Sequence, residues 1–318
     1  MSLVRSDNTS LPLHERTAWW QAAPWIASAR NALLRVVAIV SARWELLKPR
    51  VLLLVLLVCG LSGLLARPAE LDRVVATILG TALMAGAGLI ANQILERGAD
   101  ALMRRTRNRP IPSGRVGVAE AWAWSLLFGA GAVVCFWWFG LMLALALSLL
   151  SAVLYVAVYT PLKRVTAFNT VIGAVSGAMP PLIGWAGAGG SLEPLAWILF
   201  AVLFCWQFPH FFAIAWLWRE EYRRAGFRMI SVSDPDGRVT GRQAVLYCLP
   251  LLPLPLCALR YGIASPWYAV GVLVLGGAFL ACAWEFYRGP SDRTARQLLR
   301  GSVLYLPILL LLMLTAVY

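Results

Sequence analysis

Nine apolar stretches, each about twenty residues long, leave this chain few ways to fold. They cover roughly 51–66, 74–96, 118–138, 141–160, 167–187, 195–217, 243–261, 266–287 and 299–317. Each is long enough for a helix to cross a hydrocarbon layer about 30 Å thick. The apolar residues run continuously rather than alternating, which excludes barrel strands. Inside lipid only a helix satisfies its own backbone donors and acceptors. The expected fold is therefore all-α: a polytopic membrane bundle of about nine transmembrane helices. Only Phe139-Gly140 separates the third stretch from the fourth, but some forty residues are too many for one crossing. Charged residues make up 14% of the chain, against about 25% in a soluble domain.

A net charge of +13 invites a nucleic-acid reading, and its distribution argues against one. All but three of the 28 Lys and Arg residues fall before the first stretch or in the loops 97–117, 163–164, 219–242 and 288–300. The exceptions, Arg67, Arg73 and Arg260, lie in the alternate loops. This is the positive-inside pattern. It predicts a cytoplasmic N-terminus, Val317-Tyr318 outside, no nucleic-acid partner, and a lipid bilayer as the surrounding medium. A bacterial plasma (inner) membrane is the expected location, with an organellar inner membrane as the alternative. No cleavable signal precedes the first stretch, which is read as the insertion signal. Residues 1–43 are read as a cytoplasmic tail and 44–318 as the membrane domain. Segment 17–42 is rich in Trp, Ala and Arg and reads either as an interfacial amphipathic helix or as an extension without catalytic importance. The six cysteines lie in or near the apolar stretches without a CxxC pair and read as small buried hydrophobes.

Two cytoplasmic loops carry acidic residues followed by arginines, after the second and sixth stretches. This suggests two pseudo-repeated halves around a central cavity. The first loop is the richer. Asn92, Glu96 and Asp100 are spaced i, i+4 and i+8, which puts three oxygen ligands on one helix face. Arg104, Arg105, Arg107 and Arg109 follow. Oxygen ligands for Mg²⁺ beside guanidinium groups suit a diphosphate. The second loop carries Glu220 and Glu221, a candidate second metal pair. His210 is the one histidine inside an apolar stretch, and such a residue is a functional candidate. Pro180-Pro181 with Gly173, Gly177 and Gly184 predicts a broken fifth helix. Ser233-Asp234-Pro235-Asp236-Gly237 reads as a plain turn.

Several strings together resemble the UbiA-type intramembrane prenyltransferases over about residues 44–317, and within them the haem-modifying branch. They are Leu47-Lys48-Pro49-Arg50-Val51; Asn92 through Pro110; Tyr159-Thr160-Pro161-Leu162-Lys163-Arg164; Gly173 through Trp185; Phe208-Pro209-His210-Phe211; and Glu221-Tyr222 with Ala225-Gly226 and Met229. Three positions depart from that pattern. Gly98 stands where the family often has Asp, Glu220-Glu221 replaces an Asp pair, and Ile230-Ser231 replaces Leu-Pro.

The resemblance implies transfer of farnesyl from farnesyl diphosphate to a vinyl group of haem b, with water addition, giving haem O and diphosphate. It implies Mg²⁺ held by Asn92, Glu96 and Asp100, with Glu220 and Glu221 on a second ion. Arg105, Arg109 and Lys163 become the diphosphate contacts, and Lys48 and Arg50 are further cations. Tyr159, Tyr222 and His210 are expected at the substrates, His210 on the haem iron or a propionate. Tyr155, Trp206, Phe208 and Phe212 are read either as aromatic faces for a farnesyl cation or as bundle packing. Haem A synthase or haem–copper oxidase assembly machinery are the implied partners. Three other readings stay open: prenylation of a quinone precursor or another macrocycle, a secondary transporter, and a haem–copper oxidase assembly factor.

Overall fold

The computed structural model describes residues 24–263 and 265–317, and all its regular structure is helical. Residues 1–23, with His14, and Tyr318 lie outside the described residues. Helix α1 spans Pro24–Leu46, so the division expected at residue 43 falls inside it. Eight further helices are long: α2 (Pro49–Ala66), α3 (Leu71–Leu102), α4 (Val118–Trp138), α5 (Met142–Leu162) and four that follow the fifth crossing. The fifth crossing is made of two short helices, α6 (Asn169–Gly177) and α7 (Pro180–Gly187). Then come α8 (Pro194–Leu217), the short α9 (Arg219–Arg224), α10 (Arg238–Tyr261), α11 (Pro266–Arg288) and α12 (Asp292–Val317). Among the described residues eight helices are long and apolar enough to cross a membrane, and the α6–α7 pair supplies the ninth crossing.

Consecutive crossings pack side by side, and α12 closes the ring against α2. The break between α6 and α7 has a local cause. Pro180 and Pro181 lack the N–H groups that would continue the ladder, and proline is at home in a first helical turn. Ser62 Oγ donates to the Pro181 carbonyl at 2.7 Å, tying α7 to α2. Gly184 makes that approach possible, because a Cβ there would strike the Cys59 carbonyl. α10 is likewise interrupted by tighter turns at Leu249–Leu251 and Cys257–Tyr261, around its run of prolines.

Two irregularities position the site. α3 is longer than its apolar run: its 32 residues span about 48 Å, well beyond the bilayer core, so Glu96 and Asp100 remain on a helix after the apolar residues end. In α5, Leu154–Tyr159 is wound as a π-helix. Pro161 has no N–H and its ring crowds the carbonyl one turn back, which favours the wider turn. The Thr160 hydroxyl donates to the Tyr155 carbonyl at 2.8 Å, closing that turn.

Candidate active site

A chamber of about 950 Å³ opens inside the ring, lined by α2, α3, α5, α6, α8, α12 and the segment after α9. Eleven of the thirteen site residues expected from the sequence line it: Lys48, Arg50, Asn92, Glu96, Asp100, Arg105, Arg109, Tyr159, Lys163, His210 and Tyr222.

The α3 face is its polar wall. Asn92, Glu96 and Asp100 are 1%, 6% and 1% exposed, and each meets a cation from a different segment. Lys48 Nζ donates to Asn92 Oδ1 at 2.8 Å. Lys163 Nζ donates to Glu96 Oε1 at 2.6 Å. Arg109 donates to Asp100 Oδ2 at 2.7 Å. Asn92 is further fixed by Tyr155, whose hydroxyl donates to Oδ1 at 3.2 Å, and by Thr160, which accepts from Nδ2 at 3.0 Å. The π-helical turn of α5 is thereby clipped to α3.

The two lysines are pushed in opposite directions. Lys48 is half-buried, its amine set against an amide, and desolvation there, with Arg109 nearby, pushes it down to about 7. Burial opposes the charge on Lys163 too, but Tyr159 and the Glu96 carboxylate outweigh it and hold the ammonium above its ordinary range. Its Nζ sits 4.4 Å from the centre of the Tyr159 ring. That ring lies over Gly173, where a Cβ would come within 2.7 Å of it. Lys48 itself has φ 47°, the one left-handed non-glycine among the described residues, a conformation that costs about 1–2 kcal/mol and tends to occur at functional sites.

Asp100 Oδ1 is buried and has no hydrogen-bond partner. A carboxylate oxygen left unpaired in a polar pocket is costly, and it fits a Mg²⁺ ligand. Glu96, one turn earlier on the same face, uses one carboxylate oxygen for Lys163 and has a second to offer. Asn92 Oδ1 already accepts from Lys48 and Tyr155, so it would have to exchange a partner to join them. Among the described residues no group of three His, Cys, Asp or Glu side chains converges as a preformed metal cage.

The second acidic pair is placed differently from the expectation. Glu220 faces outward and pairs with Arg223 at 2.7 Å. Glu221 is buried but lines no part of the chamber; its Oε1 accepts from Arg104 Nε at 3.1 Å and its Oε2 from the Arg105 backbone N–H at 3.3 Å. Neighbours on a helix point about 100° apart, so one short helix cannot aim both carboxylates at one ion. Arg105, whose backbone Glu221 holds, lies against Trp218 and donates to the Tyr222 hydroxyl at 3.2 Å. Asp234 caps α10, accepting from the Thr240 N–H and hydroxyl at 2.7 Å each, in keeping with a turn.

Deeper in the chamber, His210 stacks on Trp206 with centroids 5.1 Å apart, and its Nδ1 lies 2.8 Å from Ser302 Oγ. Ser302 gives its one proton to the Leu299 carbonyl at 2.7 Å. The imidazole therefore carries its hydrogen on Nδ1, leaving the Nε2 lone pair free. Ser302 was missed in the sequence; its only signal is a hydroxyl within an apolar run. Of the aromatic candidates, Tyr155 and Trp206 line the chamber. Phe208 and Phe212 are buried packing residues on the α10 side, with the Phe208 ring stacked on Tyr247 at 3.6 Å.

The comparisons with known proteins show the family and the fold. The sequence pattern of the UbiA prenyltransferase family matches residues 45–311. The protoheme IX farnesyltransferase of Solibacter usitatus is 40% identical over 284 residues, covering 85% of this chain and 96% of that protein. A solved digeranylgeranylglyceryl phosphate synthase shares the fold with TM-score 0.73 at 16% identity, over 88% of this chain and 99% of its own. A UbiA homolog from Archaeoglobus fulgidus, solved with GPP and Mg²⁺, superposes with TM-score 0.60 at 14% identity, over 87% and 99%. The match covers nearly the whole helical ring and the segments that build its polar wall: this chain belongs to the UbiA prenyltransferase family.

Proposed function

We propose that this chain transfers the farnesyl group of farnesyl diphosphate to a vinyl group of protohaem IX (haem b), with addition of water, giving haem O and diphosphate. Prenyl transfer follows from the family. The farnesyl donor and the haem acceptor are supported by the names of relatives such as that of Solibacter usitatus. The observation that carries the reading is one chamber with two kinds of wall. An α3 oxygen face studded with Lys48, Lys163 and Arg109 stands at one end, and the His210 imidazole stands deeper in the same space.

Breaking the C1–O bond of the donor sends its electron pair to the diphosphate and leaves an allylic cation. Lys163, Arg109 and Arg105 meet the negative charge as it develops, which is where cationic groups contribute most. Mg²⁺, when bound, supplies further neutralisation of the leaving oxygens; Asp100 and Glu96 would hold it, with Asn92 beside them. The vinyl π pair then bonds to farnesyl C1. Water adds at the carbon next to the macrocycle and loses a proton, giving the hydroxyl. The Tyr155 and Tyr159 rings, stacked at 5.5 Å, offer aromatic faces to the cation. In this reading His210 Nε2 would ligate the haem iron, and Arg50 and Arg105 supply cations at the chamber wall.

This reading places the protein in a bacterial plasma membrane, with the basic loops and the N-terminus cytoplasmic, the C-terminus outside, and α1 at the cytoplasmic interface. Haem O is an amphiphile, so its recipient belongs in the bilayer, as haem A synthase or oxidase assembly machinery would. Cells lacking their own haem O synthase provide the test. Expression of this chain should yield extractable haem O, and the Asp100→Asn form should yield none. Good expression without haem O would overturn the acceptor and favour a quinone precursor or another macrocycle.

A further inference from the structure

A narrower pocket of about 140 Å³ leaves the chamber beside Tyr155 and shares Val51, Leu89 and Gly177 with it. It runs between α3 and α5, away from the acidic end. Its far limit is marked by Thr81, Ser148 and Ile183. Thr81 precedes Asn92 by eleven residues of α3, a rise of about 16 Å. That is the reach of an extended chain of three isoprene units.

The pocket is almost wholly apolar. Ser151 and Ser176 turn their hydroxyls to backbone carbonyls, and Thr81 meets Cys59 Sγ. Ser148 is different: it is 2% exposed and its hydroxyl has no partner. An apolar cavity of about 150 Å³ stays dry and takes a benzene-sized guest. This pocket therefore has room for one five-carbon unit, not for a whole tail.

We propose that the pocket receives the terminal isoprene unit of the prenyl donor, and that the buried residues Thr81, Ser148 and Ile183 at its far end set the donor's length. The proposal rests on the reading above, because a donor anchored by its diphosphate at Asn92, Glu96 and Asp100 is what presents its far end here. Two units stop short of these residues, three reach them, and a fourth meets their side chains. The terminal double bond offers the Ser148 hydroxyl a π face, a weak acceptor where no other exists.

Binding of non-hydrolysable thiolodiphosphates of geranyl, farnesyl and geranylgeranyl to the purified full chain tests this without any acceptor. The wild type should prefer farnesyl to either neighbour by about tenfold or more. Ser148→Leu should weaken farnesyl by about thirtyfold and leave geranyl within about threefold; the retained geranyl affinity also reports folding. Ala152→Leu, on the same wall at a half-buried position, repeats the test if Ser148→Leu does not fold. Ile183→Ala should improve geranylgeranyl by about tenfold. Equal losses for all three donors, or no change in any, would overturn the proposal. The haem measurement is separate: haem O formed with indifferent donor lengths sinks this inference alone, while the expected length pattern without haem O sinks only the acceptor.

Discussion

The end of α3 and the corner between α8 and α9 carry the same kind of sequence, carboxylates followed by arginines, yet only one builds the chamber wall. At α3 the spacing of four stacks Asn92, Glu96 and Asp100 on one face, and all three are buried toward the chamber. At the corner Glu220 and Glu221 are adjacent, so one goes to solvent and the other under the loop that holds Arg104 and Arg105. Composition is shared; periodicity decides the role. The α3 face offers oxygen atoms, and the corner offers a brace.

Chelation of divalent ions and Asp100→Asn should have the largest effects. Removing that charge deletes the unpaired Oδ1 carboxylate and strands Arg109, and prenyl transfer should fall by about a thousandfold. Glu96→Gln keeps the shape but loosens Lys163, and should cost about a hundredfold in kcat, read in the same membrane assay. Glu221→Gln should be milder, about tenfold, expressed mainly in the KM for the donor, because one amide oxygen is left to accept from both Arg104 Nε and the Arg105 N–H. Glu220→Ala should leave activity within about twofold and the melting temperature nearly unchanged, since exposed ion pairs contribute little. A Glu220→Ala enzyme as crippled as Asp100→Asn would break the comparison: the corner would then swing into the chamber when donor binds.

The fold was largely legible because the bilayer demands uninterrupted apolar length, and Pro180-Pro181 marked the broken crossing. Hydropathy does not mark helix ends in water, so α3 runs beyond the expected 96 to Leu102. The site was legible where its logic is local. The oxygen face of α3 needs only helical periodicity. The cations that complete it come from 44 and 67 residues away for Lys48 and Lys163, and nothing in a single helix pattern pairs them. The same holds for His210 and Ser302, 92 residues apart. The two glutamates were paired by composition, whereas adjacent side chains on a helix point apart, and the structure gives them different partners.

The left-handed turn at Lys48 has a consequence for anyone trying to harden this enzyme. Glycine would accept that backbone at no steric cost, so a screen for heat resistance should favour it at position 48. The surviving clones would keep the hinge between α1 and α2 and lose the amine that reaches Asn92. At this residue robustness and function select opposite amino acids.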